Sequence, residues 1–511
     1  MKSFIRVKVI NGRRYAYEVT PYYDKESKKI RQRSRYLGKY EDGEIKRVRT
    51  RLPRRALAYG EFLPFMKILE ELRITEMLQG LLPEHKANTL LVLALNRATS
   101  PVAMSNVKTW YEGTYLPRLY GDLPLSSQSL SEFLKRIGGS RLPMDFSQSL
   151  IRRVGDGSPL LYDITSLSSS SRLIDLLEHG YNRDLSGHPQ LNLSLVTHKD
   201  QGIPLLYDVH PGSIMDVSTL RNTMAKIDAL GLEDPTLILD KGFFSATNIA
   251  DLVEAGYSFI LPASYASKEV KSLALRLRRE IEKPTYLRVY EGKTLFVREI
   301  SLELDRVKVD GFLFYDLGRE KEEKALFYHR LHEVVERLRS RVLRPWEKPG
   351  KVFEDVSRGL SSYLGWKAED GRFRVEVKDK AVSQRVNRMG VTVVLCRGGY
   401  GWRTVLGWLG EKDVIEKMFM RARNDLEAVP LRAHKTEVAL GLIFIAFLSL
   451  ILRSRLGSLL RETGLADDYS VPSLLLELGK IKKVELSDGS HITTEITKKH
   501  RKILKKLELN V

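Results

Sequence analysis

Pro159-Leu160-Leu161-Tyr162-Asp163 and Leu237-Ile238-Leu239-Asp240 are two short apolar runs, each closed by an aspartate. Runs this short and this apolar read as strands buried on both faces of a helix-covered sheet. An acid at the end of such a strand sits where the sheet meets solvent, half desolvated, and is costly there unless a cation neutralises it. A third acid, Glu416, lies inside the helical pattern Lys412-Asp413-Val414-Ile415-Glu416-Lys417-Met418-Phe419. Two strand-end carboxylates and one on a later helix form a hard, oxygen-only ligand set of the kind Mg²⁺ or Mn²⁺ prefers. Two such ions about 3.5–4 Å apart serve in-line phosphoryl transfer, one at the attacking oxygen and one at the leaving oxygen. Taken singly, each aspartate also reads as an ordinary turn cap at a strand end.

The surrounding pattern predicts an α/β core. Leu191 to Val196 and Ile203 to Val209 form a hairpin around Lys199-Asp200-Gln201-Gly202, and Asp216 reads as the N-cap of a helix to Leu230. Thr236 to Asp240 is the next strand, Ala246 to Glu254 a helix, Tyr257 to Leu261 a strand, and Gly390 to Cys396 the last strand before the Glu416 helix. The result is a mixed sheet with helices on both faces.

Tyr162-Asp163-Ile164-Thr165-Ser166, Gly180-Tyr181-Asn182-Arg183-Asp184, Pro211-Gly212 with Asp216, Leu239-Asp240-Lys241-Gly242-Phe243 and Asn424-Asp425-Leu426 occur in that order. The ordered set resembles the catalytic core of insertion-sequence DDE transposases, which are similar in fold to ribonuclease H. The likeness covers roughly residues 155 to 262 and 386 to 456. It implies that Asp163, Asp240 and Glu416 are the catalytic, metal-binding triad, holding two Mg²⁺ or Mn²⁺ ions. It also implies a signature around the glutamate of Tyr, Arg and Lys, whose positions here hold Leu409, Lys412 and Arg423. At about 100° per residue, Lys412 lies roughly 40° and Arg423 roughly 20° from Glu416, so the three share a helix face. Lys412 and Arg423 are therefore the expected DNA-contacting residues, the planar guanidinium suiting phosphate best. An ordinary Lys–Glu pair on a solvated helix is the plainer reading of Lys412.

Residues 1–55 read as a basic β arm, with Asn11-Gly12 as a hairpin turn, and 56–150 as a helical DNA-binding or assembly domain. Residues 151–262 and 386–456 read as the two parts of the ribonuclease H-like core. Residues 263–385 read as a β-rich plus helical insertion, and 457–511 as a basic C-terminal tail. Ser127-Gln128-Ser129-Leu130-Ser131-Glu132 opens a helix, by plain capping or as a recognition helix. Trp346, beside Arg344 and Pro345, reads as a packing residue or a platform for an unpaired base.

Composition fits a nucleic-acid partner. Net charge is +20, and the first 55 residues alone carry 18 Lys and Arg against 6 Asp and Glu. Such a segment gives salt-sensitive, largely sequence-independent affinity for phosphates. The single cysteine, Cys396, excludes an intrachain disulfide and fits a reducing compartment. The N-terminus shows no signal-peptide pattern. Val438 to Leu452 is apolar, but at 15 residues it falls short of the roughly 20 that span a bilayer and reads as a core helix. The expectations are a DNA transposase working on transposon ends and target duplex, homodimeric on DNA, without a membrane partner, cytoplasmic and nucleoid-associated. A catalytically silent DNA-binding descendant and a stand-alone metal-dependent nuclease are the alternatives.

Overall fold

A computed structural model of the chain describes residues 2–24, 29–46, 51–168, 176–178, 189–213, 216–232, 235–410 and 435–510. Its centre is a nine-stranded mixed sheet. Leu160–Ser168 pairs antiparallel with Gln190–His198, which pairs antiparallel with Ile203–Pro211. On its other side Leu160–Ser168 takes Thr236–Leu239 in parallel, and Ser258–Pro262 adds parallel to that. The crossovers are the helices Asp216–Ala229 and Ala246–Glu254. Three antiparallel strands, then two joining parallel beside the first, with helical crossovers, is the ribonuclease H-like arrangement expected from the sequence. The strand Gln190–His198 is buried along its whole length, so its polar residues must find partners inside the protein. Ser194 Oγ lies 3.2 Å from His210 Nε2, and His198 Nε2 lies 2.9 Å from Asp156.

The segment 263–385, expected as one insertion, divides in two. Leu287–Tyr290, Lys293–Leu304 and Val307–Asp316 continue the central sheet, joined to Ser258–Pro262 through Val391–Arg397. Only the part beyond Asp316 is separate. The helices Leu317–Ser340, Pro349–Ser357 and Asp379–Val386 and the hairpin Leu364–Glu369/Arg372–Val377 enclose their own core around Phe327, Leu331, Phe353 and Phe373. Alternation in strands such as Lys293–Leu304 reveals a buried face but not which sheet receives it.

The 56–150 region is helical. Its first apolar stretch forms two helices, Leu63–Glu71 and Ile74–Leu81, parted by Arg73 in a left-handed conformation with φ 54°. Ser126 caps Ser127–Gly138 by accepting from the Ser129 N–H. That helix buries Leu130, Leu134 and Ile137 and lies against the helix Thr436–Glu462. The plain capping reading therefore accounts for it. Thr436–Glu462 extends well beyond the 15 apolar residues seen in the sequence. By length and composition alone it is able to cross a membrane, but Ile443, Phe444, Ile445, Phe447 and Leu448 are buried in the protein core.

Residues 457–511 are not a free tail. Lys482–Leu486 pairs with Pro53–Ala58 and with His491–Thr493, so this segment shares a sheet with the strand that precedes the helical region. The closing helix Lys498–Lys506 buries His500, Ile503 and Leu504 while its lysines stay in water. Glu477 anchors it, 2.9 Å from Lys480 Nζ, 3.0 Å from Lys499 Nζ and 3.2 Å from His500 Nε2. Hydrogen bonds from Lys480 and Lys499 hold the Glu477 carboxyl down at about 2, against an ordinary 4.5. A depressed carboxylate contributes stability above its unfolded pKa and loses it as pH falls through the folded value. Between pH 4.5 and 2 the melting temperature of the wild type is expected to fall more steeply than that of Glu477→Gln. Parallel curves from calorimetry across that window would show that the anchor contributes nothing.

Candidate active site

The register places Asp163 and Asp240 side by side. Leu160, Leu161 and Tyr162 lie opposite Leu237, Ile238 and Leu239 in the parallel pair, so the next step brings Asp163 level with Asp240. Neighbouring strands lie about 4.8 Å apart, and residues level on them point to the same face. Both aspartates are half-buried. Asp163 is not at the tip of its strand, which runs on to Ser168 against Gln190–His198. It is the neighbouring strand that stops, at Leu239, where Asp240 leads into the turn Lys241–Phe243. Here the chain order reverses, with an antiparallel hairpin partner on one side of Leu160–Ser168 and a crossover partner on the other. Open α/β sheets bind their ligands at such a switch point, beyond the carboxyl ends of the parallel strands.

The two sheet faces differ. On one, Tyr162 is fully buried against Phe243, with ring centroids 4.8 Å apart. Its hydroxyl donates to Thr219 Oγ1 at 3.0 Å and accepts from Thr223 at 3.1 Å, which fixes the crossover helix Asp216–Ala229 to the sheet. The opposite face carries the aspartates. Two residues back along the same rows stand Leu161, Ile238 and Ile260. Ile260 belongs to the apolar cluster with Val394, Cys396, Phe312 and Val405 that the helical residues 402–410 cover. Leu409, which occupies the tyrosine position of the expected signature, is part of that packing. Farther along the same face Tyr207, in register with Leu195 and so with Asp163, packs against Phe447 of the helix Thr436–Glu462 with ring centroids 4.8 Å apart.

Glu416, Lys412 and Arg423 lie outside the described residues. Of the residues of the expected triad, Asp163 and Asp240 alone fall within the described ones. Among the described residues no three His, Cys, Asp or Glu side chains gather into a metal site. Asp163 and Asp240 fit a divalent cation as far as they go, since they are level, half-desolvated, oxygen-only donors on one face.

The structure adds cations that sequence reading passed over. Lys241, the residue after Asp240, is exposed and lies 5.5 Å from the ring centroid of Tyr265, and the Arg388 guanidinium lies 5.3 Å from the same ring. Tyr265 donates to the Val391 carbonyl at 2.9 Å, and burial pushes its hydroxyl up to about 12 although Arg388 pulls the other way. A neutral, anchored tyrosine thus forms a ledge for two basic side chains beside the second aspartate. The signal for Lys241 was its adjacency to Asp240. Arg388 had none, because it approaches from 148 positions away in sequence. Trp346 is 74% exposed, with the Arg344 guanidinium 5.7 Å from its ring, and so is not a packing residue among the described ones.

Paired acids at the switch point of a mixed sheet are an arrangement able to hold divalent cations for phosphoryl transfer. Residues 159–345 match the family model described as Transposase DDE domain. The match includes Asp163 and Asp240 and ends before Glu416. That segment of the chain is therefore similar to a transposase DDE domain. No curated protein matches the chain. Among solved structures it is similar to the piggyBac transposase synaptic complex with hairpin DNA, at 12% identity and a TM-score of 0.37, over 84% of this chain and 82% of that one.

Proposed function

We propose that the chain mobilises a DNA element by cutting at the element's ends and joining the freed 3′ hydroxyl to target duplex, with Asp163, Asp240 and Glu416 as its metal ligands. The observation that carries this reading is the parallel register that ends at Tyr162 opposite Leu239, whose next step brings Asp163 level with Asp240 at the switch point of the sheet. Mg²⁺ or Mn²⁺, two ions in all, would lower the charge of the scissile phosphate and the pKa of the attacking oxygen. Asp163 and Asp240 orient the cleavage site and supply the negative charge that holds the cations there. Lys241 and Arg388, steadied on Tyr265, attract the flanking phosphates from the side of Asp240. Arg423 and Lys412 are proposed to do so from the helix of Glu416. The enzyme works as a homodimer, one protomer for each end, on cytoplasmic nucleoid DNA.

The test is cleavage of a labelled duplex carrying the DNA that flanks the gene. Strand breaks leaving a 3′ hydroxyl are expected with Mg²⁺ or Mn²⁺, none with the metal chelated, and unchanged binding in both cases. Equal cutting in chelator would overturn the metal reading, and absence of cutting with either ion would overturn the function.

A further inference from the structure

We infer that residues 20–24 and 29–34 form a DNA-docking ribbon that enters the major groove of duplex DNA with Arg31 and Arg33 foremost. The inference rests on the reading of the chain as a DNA-acting enzyme, and its test reads binding rather than cleavage.

Three facts of the N-terminal sheet lead there. Its strands Phe4–Ile10, Arg13–Asp24 and Lys29–Glu41 pair in that order, but the first reaches only from Arg13 to Val19 of the second. Beyond Val19 the second and third strands continue alone, with Thr20, Pro21, Tyr22, Tyr23 and Asp24 opposite Arg33, Gln32, Arg31, Ile30 and Lys29. The result is a projecting two-stranded ribbon. The major groove, about 12 Å wide, admits such a ribbon, whereas a wider sheet lies across the backbone. At about 3.4 Å per residue five paired positions extend roughly 17 Å, which is about five base pairs of axis.

The ribbon is also without a core. Among the described residues of 4–46 only Ala16, Val19 and Gly38 are buried, and none of them lies in the ribbon. Tyr22, Tyr23 and Ile30 are 47%, 55% and 63% exposed. A two-stranded hairpin with nothing packed on it is marginal in water, so contact with a partner is what would hold its shape.

Its faces are unequal, and the charged one selects the partner. Alternation puts Thr20, Tyr22, Asp24, Lys29, Arg31 and Arg33 on one face, with Arg35 continuing the row. Basic residues at every second position recur about every 6.8 Å. Asp24 balances Arg31 at 3.0 Å, but Thr20, not an acid, stands opposite Arg33. The other face carries Tyr23 and, nearer the body of the sheet, Tyr15 and Tyr17 packed on Tyr36. A row of cations on a narrow ribbon, within a segment of 18 Lys and Arg against 6 acids, complements the phosphate-walled groove of a duplex.

The experiment uses the full chain with metal chelated and a fluorescein-labelled 30-base-pair duplex of fixed sequence, followed by anisotropy across a salt series. Arg31→Ala/Arg33→Ala is expected to weaken binding at least tenfold and to lower the salt slope by about two, one for each lost phosphate contact. Arg31→Lys/Arg33→Lys should recover the slope, and the wild type should protect guanine N7 on the duplex from methylation. Unchanged affinity and slope in the alanine variant overturn the inference. So does an equal loss on the corresponding single strand, or failure of the wild type to protect any guanine N7.

Discussion

Asp163→Asn abolishes DNA cleavage, by about three orders of magnitude or more, while leaving duplex affinity within about twofold. The carboxamide keeps the shape of the side chain and its place beside Asp240, but removes the charge that holds a divalent cation. A loss of several kcal/mol of transition-state stabilisation corresponds to a factor of this size. Asp240→Asn should behave in the same way, because the two acids share a level and a face. The pair act as one unit, so the double variant should be little worse than either single one. Cleavage of the labelled duplex at saturating protein checks the first effect, and anisotropy checks the second. If Asp163→Asn retained metal-dependent cleavage, the first ligand would be wrong and the site would have to be sought elsewhere on the sheet. A parallel loss of binding would instead assign Asp163 a structural role.

The aspartate pair was legible because each sits at the end of a run too apolar to be anything but a buried strand. What the runs did not reveal is that Asp163 stands within a longer strand, since Ile164 to Ser168 carry no apolar alternation. Pairing with Gln190–His198, not hydrophobicity, continues the strand there. The turn at Asn11-Gly12 and the crossover helices were visible for the same reason as the runs, since each is fixed by local chemistry. Long-range pairings were not. Nothing in Pro53–Ala58 announces its partner Lys482–Leu486, more than 400 positions away, so a folded-back segment read as a tail. The basic ledge on Tyr265 was hidden likewise, because Lys241 and Arg388 meet only when the sheet is assembled.

Gly441→Ala separates local preference from packing, because the two give opposite signs. Gly441 lies inside the helix Thr436–Glu462, where alanine is intrinsically better by about 1 kcal/mol. A Cβ at this position would stand 2.3 Å from the Leu134 carbonyl oxygen and 3.0 Å from its carbon, on the backbone of the helix Ser127–Gly138. The other side of the crossing is equally close, for a Cβ on Gly138 would come 1.8 Å from the Glu437 oxygen. Backbone cannot swing aside as a side-chain end can, so the helices must part, and overpacking of this kind costs about 2–3 kcal/mol or more. Gly80, near the end of the helix Ile74–Leu81, is the control, since a Cβ there meets nothing within 4 Å. Gly80→Ala should therefore raise the melting temperature slightly and Gly441→Ala lower it by several degrees. The damage should reach the site, because Phe447, six residues along the same helix, packs against Tyr207 in the register row of Asp163. Cleavage by Gly441→Ala should fall even at temperatures where the protein stays folded. A melting temperature equal to or above the wild type would mean that the crossing tolerates a methyl group and that helix propensity, not contact, governs this position.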